Sequence, residues 1–141
     1  MKSIREIQDG ITDDFLSMGD GFEQYAYLIE LSCMLPGLPE SKKTEEAAVE
    51  GCQSGVWLDM SVKDGAFYLE ADSNTLIVRG VLYLLRQLFN GQRPCDVAEA
   101  KIDLFERTQI MDTFETGRRK GLGFVVEKIK SFCGESGQTA V

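Results

Sequence analysis

A chain of 141 residues, 43% hydrophobic and 27% charged, fits one globular domain with a core of its own and is the wrong composition for a disordered polymer. Its 23 acidic residues against 15 basic ones leave a net charge of −8, a field that repels phosphate backbones and anionic bilayers, so neither nucleic acid nor a membrane is an expected partner. No apolar run approaches the roughly 20 residues that cross a bilayer, the N-terminal stretch carries acids where a secretion signal is apolar, and a cytoplasmic protein is expected.

In chain order, Ser3 and Glu6 have the capping-box spacing, and Ile4, Ile7, Ile11 and Phe15 follow at helical intervals, which predicts an amphipathic helix over 3–16. Asp20 with Glu23 repeats the start signal for a second helix, carried by Phe22, Tyr25, Leu28, Ile29 and Leu35 up to Pro36. The PGLPES stretch then forces a loop. Residues 47–50 read as a short strand. Val56, Leu58, Met60 and Val62 alternate with polar or exposed positions, Lys63, Asp64 and Gly65 make a hairpin turn, and alternation resumes at Phe67, Leu69 and Ala71. A small antiparallel sheet of two or three strands follows.

Asp72 and Ser73 open the next segment, with Asp72 read as a helix cap. Its apolar residues from Leu76 to Phe89 wrap most of the way round a helix ending near Gly91, which predicts the central buried helix. Pro94 and Asp96 start a short helical turn, residues 104–114 read as mixed short helices, and a last helix spans 117–132 on the spacing of Leu122, Val125, Val126 and Ile129. The expected organisation is a single domain over 1–133 and a disordered tail over 134–141. The fold class is α+β, a small antiparallel sheet with helices packed around it.

The four cysteines, Cys33, Cys52, Cys95 and Cys133, form no CxxC pair and the chain has no histidine. A zinc site and a Cys/His nucleophile therefore both lack their usual parts. Cys52 stands apart from the other three. It sits in GCQSG, just ahead of the first strand, where Gly51 and Gly55 permit turns that aim backbone N–H groups at a sulfur anion, and Gln53 and Ser54 add hydrogen-bonding side chains. Such a loop stabilises a thiolate without a proton shuttle, which favours exchange of groups at sulfur over hydrolysis. A free cysteine also serves as a small buried hydrophobe, and that is the reading for Cys33, Cys95 and Cys133.

The run VEGCQSGVWL resembles the SufE sulfur acceptors of iron–sulfur cluster assembly, whose motif Gly51, Cys52, Gln53, Ser54, Val56 and Trp57 match. Gly55 occupies a variable position of that motif. YAYLIELSCMLPGLP is similar to the family's second helix and proline loop, ADSNTLIVRGV to the start of its buried helix, and RRKGL to its RxxGL signature with Arg118 at the arginine. The matches lie in order over about residues 20–130.

The resemblance implies a SufE/IscU-like fold with the cysteine on a loop at one edge of the sheet. It implies that Cys52 takes a sulfane sulfur from a pyridoxal-phosphate cysteine desulfurase (SufS-like), stimulates that enzyme, and passes the sulfur to an Fe–S scaffold complex (SufBCD-like). Gly51, Gln53, Ser54 and Arg118 would form the sulfur loop and partner contact, with no metal and no cofactor. The resemblance further implies a sulfurtransferase-type carrier without independent turnover, its cysteine tucked over apolar residues until the partner engages. Three other functions remain open: the same persulfide feeding transfer-RNA or molybdenum-cofactor chemistry, an Fe–S or metal scaffold, and a redox-sensing thiol.

Overall fold

The computed structural model describes residues 1–52 and 54–139. Its first helix, α1 (Ile4–Leu16), opens on a complete capping box: the Ser3 hydroxyl accepts the Glu6 N–H, and Glu6 Oε1 accepts the Ser3 N–H. Ile4 and Phe15 are buried on its inner face. Helix α2 (Gly21–Ser32) is capped by Asp20, whose carboxylate accepts the Glu23 N–H at 2.9 Å. Here the structure corrects the expected inner face, because Phe22 and Tyr25 are 79% and 38% exposed while Gln24, Leu28 and Leu31 are buried. The reason is a close helix crossing: a Cβ on Gly80 would stand 2.3 Å from the Leu28 carbonyl oxygen, so the Leu28 side of α2 lies against backbone.

The sheet has two strands, β1 (Val56–Lys63) and β2 (Ala66–Ser73), paired antiparallel from Val56 opposite Ser73 to Lys63 opposite Ala66. Asp64 and Gly65 connect them, and both have positive φ, 54° and 78°, as the favoured two-residue hairpin turn requires. Residues 47–50 form no third strand. They contribute one bridge, Ala48 to Trp57, flanked by bonds from Val49 N–H to Val56 O and from Leu58 N–H to Ala47 O. The positive φ of Gly51, 88°, then turns the chain away from the ladder.

Helix α3 (Leu76–Phe89) is the central buried helix, with Val81, Leu82, Leu84, Leu85, Leu88 and Phe89 out of solvent. It packs on β2 and on α2, and Phe67 of β2 meets Phe89 edge to face at 6.5 Å between centroids. Its N-cap is Thr75, so Asp72 is not the cap of this helix. Asp72, next to last in β2, has its carboxylate buried, accepting the N–H of Leu38 and Ser73 and pairing with Arg79 and Lys43. A cap would serve its own helix; this carboxylate instead satisfies the proline loop, 34 residues away in the chain.

Short helices α4 (Pro94–Glu99) and α5 (Leu104–Arg107) and a 3-10 turn (Ile110–Thr113) follow. Gln8 of α1 holds them in place: fully buried, it donates to the Lys101 carbonyl and accepts the N–H of Asp103 and Leu104. The last helix, α6 (Thr116–Thr139), packs on α4 and touches β1, burying Val125, Ile129 and Cys133. Its backbone continues well into the stretch expected to be a tail, since no proline follows Ile129 to stop it; Ala140 and Val141 lie outside the described residues.

Candidate functional site

The loop between Glu46 and Val56 is held at both ends. On its entry side, Nζ of Lys128 on α6 donates to the carbonyls of Glu46 and Ala48, each at 2.7 Å. On its exit side, the Ser54 and Thr75 hydroxyls lie 2.7 Å apart, and the Gly55 N–H donates to Asn74 Oδ1 at 3.1 Å. Thus α6 grips one end of the loop, and the residues just before α3 grip the other. Trp57, at the start of β1, lies under the Nζ of Lys43 at 5.1 Å from the ring centroid.

Between these anchors the chain drops onto α6. A Cβ on Gly51 would come within 2.6 Å of the Phe124 ring, so only glycine satisfies both the left-handed turn and the overlying aromatic. One residue on, Cys52 is half-buried, and its Sγ lies 3.6 Å from the Gly121 carbonyl oxygen, placed for the thiol to donate. A cavity of about 30 Å³ adjoins the thiol, lined by Val56, Val78, Val81, Leu82 and Val125 with Ser54 and Arg118 as its polar members. That volume admits an atom or two of water size. Burial beside these apolar side chains pushes the Cys52 thiol up from its ordinary value, so at neutral pH it rests protonated.

Among the described residues the hydrogen bond recorded for Sγ is the one to a carbonyl acceptor, which favours thiol over thiolate. The sulfur faces α6 because Gly121 leaves a gap there, so the stabilised resting form is the neutral one.

Of the residues singled out from the sequence, Cys52, Ser54 and Arg118 line this cavity, and Gly51 lies outside its lining, against the Phe124 ring. Gln53 lies outside the described residues. Arg118, on the first turn of α6, is half-buried and makes no hydrogen bond or ion pair among the described residues. Two of the other cysteines correct the expectation of core packing: Cys33 and Cys95 are exposed, at the end of α2 and the start of α4, and Cys133 alone is buried. Among the described residues no three metal-ligating side chains converge. A larger groove of about 960 Å³ between α5 and α6 excludes the thiol and shares only Leu122 with its cavity.

Sequence reasoning missed Gly121, Phe124 and Lys128 as parts of the site. Gly121 belongs to the RRKGL run, but nothing in the spacing of that run shows that its missing side chain makes room for a sulfur 69 residues away in the chain.

Comparison with known proteins shows the family and the fold. The model of the family described as "SufE: Fe-S metabolism associated domain" matches residues 9–133. An uncharacterized SufE-like protein of Rhizobium meliloti (strain 1021) is 32% identical over 128 residues, covering 87% of this chain and 91% of its own. A second, from Rhizobium etli, is 32% identical over 127 residues, covering 86% of each. The solution structure of a hypothetical protein from Thermus thermophilus superposes with a TM-score of 0.76 at 19% identity, over 92% of this chain and 94% of that one, which establishes the shared α+β fold. With the match spanning the hairpin, the cysteine loop and the helix that seats it, the chain belongs to the SufE family, whose domain is associated with Fe–S metabolism.

Proposed function

We propose that the protein is a sulfur carrier that accepts a sulfane sulfur on Cys52 from the persulfide of a pyridoxal-phosphate cysteine desulfurase, speeds that enzyme by clearing its product, and delivers the sulfur to an Fe–S assembly scaffold. The observation that supports it most directly is the placement of Cys52: a thiol on a loop, half-buried over a small apolar cavity, in a chain of this family. An unengaged persulfide loses its outer sulfur to any thiol that reaches it, and a seat that limits solvent access slows that loss.

In the transfer, the Cys52 thiol gives up its proton and the thiolate attacks the outer sulfur of the donor persulfide. A new S–S bond forms at Cys52 as the donor S–S bond breaks. The donor cysteine leaves as a thiolate and takes up a proton, so the exchange carries no net oxidation. The protein brings no cofactor and no turnover of its own. Arg118, lining the cavity with Ser54, is in place to meet the anionic sulfur or the donor's surface, and Gly51 and Ser54 shape the loop that presents it. The setting is cytoplasmic, and no described helix is long and apolar enough to cross a membrane.

The test is a desulfurase assay with labelled cysteine, run with the wild-type protein and with Cys52→Ser. Label on the wild type, with the mass gain of one sulfur atom at Cys52, and its loss together with the stimulation in the variant, is the expected result. Equal labelling of Cys52→Ser overturns the proposal.

A further inference from the structure

Two residues of α6, three positions apart on one helical face, meet two consecutive residues of the sulfur loop. A Cβ added at Gly121 would stand 3.3 Å from Cys52 Sγ, 3.6 Å from its Cα and 3.7 Å from its Cβ. The ring of Phe124 occupies the space where a side chain on Gly51 would go, at 2.6 and 2.7 Å from the hypothetical Cβ. The loop thus rests on a glycine gap under the cysteine and on an aromatic ring beside the residue before it.

We propose that Gly121 and Phe124 are positioning residues that form the resting seat of Cys52, the gap at Gly121 admitting the thiol and the Phe124 ring holding Gly51 down, so that together they set how much of the time the sulfur is withdrawn. Three features carry this. The gap is specific: on the same helix a Cβ on Gly123 meets nothing within 4 Å, so a glycine at 121 is tied to the loop and not to the helix. The tight contact at 121 is to the sulfur itself, 3.3 Å, while the Cα and Cβ of Cys52 lie at ordinary contact distance, 3.6 and 3.7 Å, so a methyl there takes the space the thiol rests in and shifts the sulfur from it. Phe124 is 42% exposed, and what its ring covers is the loop. Its significance for sulfur transfer rests on Cys52 being the acceptor, but the seat itself is a property of the free protein.

The experiment is alkylation with iodoacetamide across about pH 6.5–10, followed by peptide mass spectrometry that reads each cysteine separately. Cys33 and Cys95, both exposed, serve as unhindered references, and the buried Cys133 reports whether the fold stays closed. In the wild type Cys52 should react more slowly than both references. Gly121→Ala should raise its rate several-fold and lower its pH midpoint, and Phe124→Ala, which only removes atoms at a half-exposed position, should do the same in smaller measure. Gly123→Ala should leave it as in the wild type. An unchanged or slower Cys52 in both Gly121→Ala and Phe124→Ala, with Cys133 still protected, overturns the proposal, as does an equal gain in Gly123→Ala. If Gly121→Ala exposes Cys133, the Phe124→Ala result decides alone. Since no desulfurase is present, this outcome is independent of whether the sulfur-acceptor assay succeeds.

Discussion

The Ser54 and Thr75 hydroxyls, 2.7 Å apart, tie the loop that carries Cys52 to the N-cap residue of the central buried helix. The exit end of the loop is thereby fixed to the residue that caps a core helix. Ser54→Ala removes one partner of a partly buried bond, and a loss of about 1 kcal/mol is expected, since Thr75 keeps its contact with Asn74. Urea denaturation of the variant and wild type measures it, and an unchanged midpoint would show that Asn74 alone holds this end.

Asp72 accounts for the pH dependence expected on the acid side. Burial raises its carboxyl, but the N–H groups of Leu38 and Ser73 and the charges of Arg79 and Lys43 outweigh that and hold it below the usual carboxylate range. A depressed folded value means stability that is complete above the unfolded value near about 4 and is lost as pH falls through the folded one. Asp72→Asn should cost about 3 kcal/mol at neutral pH, because Arg79 loses its buried partner, and should flatten the fall in urea midpoint between about pH 5 and 2. A wild-type slope retained in the variant would place the acid sensitivity elsewhere.

Cys133 acts in the opposite direction. Burial pushes its thiol up to about 12, so the folded chain holds this proton more tightly than the unfolded one. Stability from this group is complete below the unfolded value near about 8.5 and declines as pH rises toward about 12. Replacing it with alanine opens a small cavity worth about 1 kcal/mol at neutral pH and should make the alkaline decline shallower. Thermal melts at about pH 7, 9 and 10.5, spanning the unfolded value, compare the two; parallel curves would contradict the assignment.

Two helical glycines should respond to alanine with opposite signs. Gly123 is exposed and a Cβ there meets nothing within 4 Å, so Gly123→Ala should stabilise α6 by about 0.5–1 kcal/mol and raise Tm by about 3 °C. Gly80→Ala drives a methyl toward the Leu28 carbonyl oxygen, backbone that has nowhere to turn, and should cost about 2–3 kcal/mol by forcing α2 and α3 apart. Calorimetry that found both stabilising would disprove the close crossing.

The elements themselves were legible in the sequence because their causes are local. The Ser3–Glu6 box, the Asp64–Gly65 turn, the alternation through Val56 and Phe67 and the apolar wrap of α3 each act within a few residues, and each stands where the pattern places it. The chemical candidate, Cys52, was legible through its glycine-flanked motif. What only the tertiary structure decided are relations across the chain: that Phe22 and Tyr25 face outward because Gly80 meets Leu28, that Asp72 accepts from Leu38 instead of capping the helix, and that the sulfur rests against Gly121. Periodicity reports which residues avoid water; it holds no information on which distant surface covers them, because that is settled by packing, where backbone, ring and sulfur compete for the same few ångströms.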